Sequence, residues 1–252
     1  MANPTATARA ADLTRRLLLD AGLTPGMRVL DIGTGLGDVA LLALEIVGPS
    51  GSVLGIDRAA PPLQVAAQRV EAGVGNIAFE QRDLADLGDL AGFDAVIGRR
   101  VLMYQPDAVA ALIRLRRVLK PGGLIVLQEH DATGMPISAA TIPAHRDIHD
   151  RIWRTVAHEG ADTRMGRRLA AALGQAGFRA ADLRAEAILL TPEISHPIAA
   201  IAHAMLPRLR EAGAADGLDL DSLDTRLEAE RMTLDEAVVW ELAFGTWARN
   251  PD

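Results

Sequence analysis

Cysteine is absent from the 252 residues. That excludes disulfides, thiolate metal sites and cysteine nucleophiles, and it suits a reducing compartment. Aromatic residues make up only 3%, with a single tyrosine, Tyr104, and lysine occurs once, as Lys120. No long basic run exists and the net charge is −7, so the chain lacks the positive footprint that a phosphate backbone needs, and nucleic acid is excluded as a partner. Long apolar runs are missing too. Stretches such as Val39–Val47 are short and interrupted by Glu45, far below the roughly 20 apolar residues of a membrane span, so no membrane partner is expected. Met1–Arg16 has no basic start followed by an apolar block and does not read as a secretory signal, which leaves a cytoplasmic location as the expectation.

What is present is an ordinary folding composition, 49% hydrophobic and 23% charged, in a length that one α/β domain can fill. Apolar residues at helical spacing from Thr5 to Ala21 predict an N-terminal helix ended by Gly22. Then strands and helices alternate: strand Met27–Ile32, tight turn Gly33–Gly37, helix Asp38–Val47, strand Ser52–Asp57, helix Pro62–Ala72, strand Ile77–Gln81, strand Ala95–Gly98, helix Ala108–Leu119 and strand Leu124–Glu129. The strands are short and continuously apolar, the signature of a parallel sheet covered on both faces by crossover helices. Beyond Glu129 the rhythm changes. A loop is expected at His130–Ile142, helices at Ala144–His158 and Thr163–Ala176, a strand at Leu183–Leu190, helices at Pro197–Ala212 and Leu218–Arg231, and a last strand at Ala237–Trp247, with a loop around Gly213–Asp224. The fold expected is therefore α/β: Rossmann-like, doubly wound, with a mostly parallel seven-stranded sheet. It is read as a single domain over 1–252 with a core at 26–130 and helical lid insertions at about 131–162 and 193–236.

The segment Val29-Leu30-Asp31-Ile32-Gly33-Thr34-Gly35-Leu36-Gly37-Asp38 delivers glycines from a buried strand into a turn that opens a helix. Glycine there lets a ligand approach the backbone, and the helix start presents unpaired N–H groups. A pyrophosphate-binding loop carries Gly-x-Gly-x-x-Gly. Here the third glycine position is Asp38, so a pyrophosphate would meet a carboxylate and a nicotinamide oxidoreductase is disfavoured. Asp57, 20 residues after Gly37 at the end of the second strand, is placed to accept bonds from ribose hydroxyls.

The Asp-x-Gly-x-Gly-x-Gly motif, the second-strand Asp57, and the later segments Gln81-Arg82-Asp83-Leu84, Phe93-Asp94-Ala95-Val96 and Leu119-Lys120-Pro121-Gly122-Gly123 follow one another in an order that resembles the class I S-adenosylmethionine-dependent methyltransferases. The resemblance covers Arg28–Glu129 well and Thr163–Leu190 and Ala237–Trp247 more loosely. It implies S-adenosylmethionine as cofactor. It also implies that Asp31 and the Gly33-Thr34-Gly35 backbone hold the methionine moiety, Asp57 the ribose and Arg58 the border of the adenine. Asp83 and Leu84 would take the adenine amino group and face, and Arg99 would line the sulfonium and acceptor side. The cofactor carries a sulfonium, an ammonium, a diol and an exocyclic amine but no phosphate, a set that carboxylates suit.

On the acceptor side, methyl transfer mainly requires alignment, with a general base where the acceptor is a hydroxyl. Candidates are Glu129, His130 and Asp131 after the fifth strand, of which His130 has the most suitable ordinary pKa, and Tyr104 in the loop after the fourth. His145 and His149, four apart on one helix face, read either as solvated residues, as pocket lining, or as a metal pair; no metal is assigned. The expected activity is methylation of a small, partly apolar metabolite at oxygen, nitrogen or carbon, by a monomer or homodimer with a small-molecule acceptor as partner. Two other readings keep the fold: a cyclisation or similar step that uses the sulfonium without methyl transfer, and a cofactor-binding module.

Overall fold

In the computed structural model, residues 6–70, 75–138 and 141–251 are described. The elements in chain order are α1 (Ala6–Asp20), β1 (Arg28–Ile32), α2 (Asp38–Val47), β2 (Ser52–Asp57), α3 (Ala60–Gln68), β3 (Ile77–Gln81), β4 (Phe93–Arg99), a 3₁₀ turn (Leu102–Tyr104), α4 (Ala108–Val118), β5 (Leu119–Asp131), α5 (Pro143–His158), α6 (Met165–Gln175), β6 (Arg179–Leu190), α7 (Ile198–Glu211), α8 (Leu223–Arg231) and β7 (Val238–Arg249). Seven strands form one sheet in the order β3-β2-β1-β4-β5-β7-β6. The pairs β1–β2, β2–β3, β1–β4 and β4–β5 are parallel, with Asp31 registered between Gly55 and Ile97. Strand order reverses across β1, and the crevice at the carboxyl end of such a strand is where open α/β sheets bind ligands.

The chain divides into two compact units. The sheet unit comprises Ala11–Glu129, Met165–Ala185 and Phe244–Asp252; the helical unit comprises the stretch up to Ala10, His130–Arg164 and Glu186–Ala243. Within the sheet unit, Leu17, Leu18 and Leu23 pack with Val39, Ala43 and Val47 of α2 over Val29, Ile97 and Val126 of the central strands. Each fully buried Val or Leu side chain of this kind contributes about 1.5–3 kcal/mol of transfer free energy. Within the helical unit, α5 packs against both α7 and α8.

The α/β alternation lies where the sequence places it, and α2, β2 and β3 match residue for residue. The N-terminal residue of the first expected helix, Thr5, and the last two residues, 71–72, of the helix expected from Pro62 lie outside the described residues. Other boundaries shift: β5 starts at Leu119 rather than Leu124 and β6 at Arg179 rather than Leu183, and two further differences have a local cause. Polar character predicts a loop from His130, yet β5 runs on through Asp131: Gln128, Glu129, His130 and Asp131 are all buried and each has at least one hydrogen-bond partner. The eighth helix starts at Leu223 rather than Leu218: the Asp219 carboxylate accepts from the Asp221 and Ser222 amides, which closes a turn in place of the first helical turn.

Candidate functional site

At the carboxyl end of β1 the backbone enters the left-handed region at Gly33, Gly35 and Gly37, with φ of 57°, 52° and 82°. The three glycines face different surroundings. A Cβ on Gly33 would come within 2.6 Å of Val101 Cγ2, and one on Gly37 within 3.1 Å of Ala66 and 3.2 Å of Phe79. At Gly35 the nearest atom would be the Gly33 carbonyl oxygen at 4.0 Å. Packing therefore explains glycine at 33 and 37, whereas position 35 is open.

Two carboxylates brace this loop. Asp57 Oδ2 accepts from the Gly35 amide at 3.0 Å and Oδ1 from the Ala59 amide at 2.9 Å. Asp31 is 1% exposed; its Oδ2 accepts from the Thr34 hydroxyl at 2.6 Å, and its Oδ1 has no hydrogen-bond partner. Burial pushes the Asp31 carboxyl up to about 7, with the Thr34 hydroxyl, the Arg99 charge and the Ala40 amide pulling the other way. A buried carboxylate oxygen left unpaired costs about 1–3 kcal/mol, which a cationic ligand group recovers. The ammonium of the cofactor is such a group, and the open Gly35 leaves its backbone approachable, so these residues fit S-adenosylmethionine.

The other expected cofactor residues surround this constellation. The Arg82 amide donates to the Asp57 carbonyl and Gln81 Nε2 to the Arg58 carbonyl at 3.0 Å, which ties the ends of β2 and β3 together. Asp83 is exposed, and its Oδ1 accepts from the Ala85 amide at 2.8 Å. Leu84 is buried, with its carbonyl accepting from Arg114 Nε. Arg99 turns its guanidinium to Thr14 Oγ1 at 3.3 Å and to Asp38 Oδ2 at 3.6 Å. Asp38 also receives Arg69 at 2.7 Å, so the carboxylate that stands in place of a third glycine is bound by two arginines.

The acceptor candidates separate. Tyr104 ends the 3₁₀ turn of the sheet unit. That turn hangs on Glu129, whose Oε1 accepts from the Val101 and Leu102 amides at 2.8 and 2.7 Å; burial pushes the Glu129 carboxyl up to about 7. Glu129 is thus a structural anchor for the loop that carries Tyr104. His130 and His145 belong to the helical unit, and each is held by a carboxylate. His130 Nδ1 lies 2.6 Å from Glu241 Oε2, and Glu241 Oε1 accepts from Trp153 Nε1 at 3.2 Å. His145 Nδ1 lies 2.6 Å from Glu230 Oε2.

His145 and His149 do share one face of α5, but solvated they are not: both are 2% exposed and both rings meet Trp240 edge-on, at centroid distances of 5.8 and 4.9 Å. Burial lowers the pKa of each. Neither ring nitrogen of His149 has a hydrogen-bond partner. Glu230 and Glu241 carry no motif and were invisible in the sequence as site residues. A cavity of about 270 Å³ in the helical unit is lined by His145, Ser195, His196, Asp224 and Leu227 among others.

Comparison with known proteins agrees with this architecture. The family model for a methyltransferase domain matches residues 23–166. The nocamycin O-methyltransferase of Saccharothrix syringae is 40% identical over 117 residues, 46% of this chain and 42% of that protein. The demethylmenaquinone methyltransferase of Staphylococcus aureus is 33% identical over 124 residues, 49% of this chain and 51% of that protein. The chain thus spans about half the length of the curated relatives it matches, or less. Among solved structures, the Haemonchus contortus phosphoethanolamine N-methyltransferase 2 in complex with phosphomonomethylethanolamine and S-adenosylhomocysteine shares the fold. Its TM-score is 0.60 at 20% identity, over 96% of this chain and 53% of that one. The chain belongs to the methyltransferase domain family, with the Rossmann-like fold of its S-adenosylmethionine-dependent members.

Proposed function

We propose that this protein transfers the methyl group of S-adenosylmethionine to a small, partly apolar metabolite. The observation that carries the reading is the Asp31–Thr34–Gly35–Asp57 constellation, in which Asp31 and Thr34 are buried and one carboxylate oxygen of Asp31 is left for a cation. Asp31 and the Gly33–Gly35 backbone bind the methionine end. Asp57 keeps lone pairs free on both oxygens for ribose hydroxyls, since each carboxylate oxygen offers two acceptor sites. Arg58, Asp83 and Leu84 border the adenine. When bound, the cofactor supplies an electrophilic methyl carbon on a positively charged sulfur. Arg99, drawn towards Asp38 and Thr14, is assigned the border of the sulfonium and acceptor side.

The helical unit is assigned to the acceptor, with His130 as the base for a hydroxyl and with Tyr104 and His145 as lining groups. The protein is proposed to act in the cytoplasm, as a monomer or homodimer. The test is a panel of phenols, enols and amines incubated with methyl-labelled cofactor. Label should appear in an acceptor in step with S-adenosylhomocysteine, and His130→Ala should abolish turnover of hydroxyl acceptors while cofactor binding persists. A product formed with no cofactor consumed would overturn methyl transfer. Full turnover in His130→Ala would remove His130 as the base.

A further inference from the structure

The helical unit contains two histidine–carboxylate pairs of the same length, and they are built differently. Glu230, on α8, spends both oxygens on the start of α5: Oε1 accepts from the Ala144 amide and Oε2 from the His145 amide, each at 2.9 Å, besides His145 Nδ1. That pair is a helix cap brought in from another element. Glu241, on β7, is 8% exposed and is clamped by aromatic and imidazole N–H groups, with Trp153 Nε1 on one oxygen and His130 Nδ1 on the other. His149 stands on the same side, its Nε2 3.8 Å from Glu241 Oε1.

We propose that Glu241 is the positioning residue of the acceptor base: it fixes the tautomer and ring orientation of His130, and so selects an acidic hydroxyl, of a phenol or enol, as the acceptor. This rests on the reading of His130 as the base. An ionised carboxylate can only accept, so the proposed arrangement has the proton of the 2.6 Å pair on His130 Nδ1, with Nε2 of the neutral ring as the acceptor. Trp153 holds the other oxygen, which stops the carboxylate from swinging away. In the transfer, Nε2 takes the hydroxyl proton as an oxygen lone pair forms the bond to the methyl carbon. The methyl–sulfur bond breaks with its electron pair left on sulfur, and the imidazolium, facing the Glu241 carboxylate, later returns its proton to water. A neutral amine would need no such base, which is why a buried, carboxylate-held imidazole points to oxygen.

Long-range proton–nitrogen correlation spectra of the ¹⁵N-labelled protein at neutral pH test this without any acceptor. His130 should appear as the Nδ1–H tautomer, with its Nδ1 proton far downfield. In Glu241→Gln that signal should be lost, the Nε2–H form should gain population, and S-adenosylhomocysteine affinity should be unchanged. An Nε2–H tautomer in the wild-type spectrum overturns the proposal whether or not the variant folds. With a hydroxyl acceptor from the panel, kcat in Glu241→Gln should fall by about 10-fold or more at unchanged KM, within the range general-base catalysis supplies. Wild-type turnover in Glu241→Gln beside an inactive His130→Ala removes Glu241 alone. An active His130→Ala removes the base itself and leaves the tautomer result standing.

Discussion

At the scale of single residues, the glycine loop divides its labour. Gly33 is small because Val101 fills the space above it, whereas a Cβ on Gly35 would meet nothing nearer than the Gly33 carbonyl oxygen at 4.0 Å. Both sit at positive φ, where an L-residue pays about 1–2 kcal/mol. Gly33→Ala adds a Cβ 2.6 Å from Val101 Cγ2, so it should cost stability beyond that strain. Gly35→Ala should cost only about 1–2 kcal/mol of stability and lose most of its cofactor affinity. Urea unfolding beside binding of S-adenosylhomocysteine checks both; an intact affinity in Gly35→Ala would take the ligand away from that face of the loop. The grouping of Asp31, the glycines and Asp57 around one turn was legible in the sequence because it follows from positions along strands and the turn between them. Glu241 was not, since 111 residues separate it from His130 and only the fold joins them.

At the scale of elements, α5 shows how a helix start can be completed from elsewhere. Ile142 at its N-cap offers no side-chain acceptor, and Glu230 of α8 supplies the two bonds instead. Glu230→Ala should therefore destabilise the helical unit by about 1–3 kcal/mol, from the lost cap and the unpaired His145 nitrogen. Denaturant unfolding monitored by tryptophan fluorescence reads this through Trp153 and Trp240. A change below about 0.5 kcal/mol, the level of an ordinary surface substitution, would contradict the cap. Periodicity found the helices of this region but missed the reach of β5, because a strand whose last residues are Gln, Glu, His and Asp does not look buried until its partners are known. At Asp219 two overlapping expectations met, a loop over Gly213–Asp224 and a helix from Leu218, and local side-chain bonds decided for the loop.

At the scale of the whole molecule, the pH response follows from four buried groups. Asp31 and Glu129 have carboxyls raised from 3.8 and 4.5 to about 7. The stability they contribute is complete below the unfolded values and is lost as pH rises through about 7. His145 and His149 are lowered from 6.5 by burial. Their contribution is present above the unfolded value and is lost as pH falls below it. The two contributions oppose each other and partly cancel from the unfolded carboxyl values up to 6.5, and only the carboxyl loss remains between 6.5 and about 7. The ligand-free protein should thus lose stability there, and melting curves across pH about 5–8 check this. Steadily rising stability up to pH about 8 would mean that neither carboxyl is held neutral.

In the proposed site the same Asp31 links the fold to the cofactor, for it must ionise to pair with an ammonium. Calorimetric titration with S-adenosylhomocysteine, near pH 6 and 8 and in buffers of different ionisation enthalpy, is the most direct measurement. Binding should saturate at one site, release a proton near pH 6, and tighten towards pH 8. Asp57→Ala should weaken it by about 1–3 kcal/mol, and NAD should give no heat. Silence with S-adenosylhomocysteine, or binding of NAD in its place, would contradict a methyl-donor site at the end of β1.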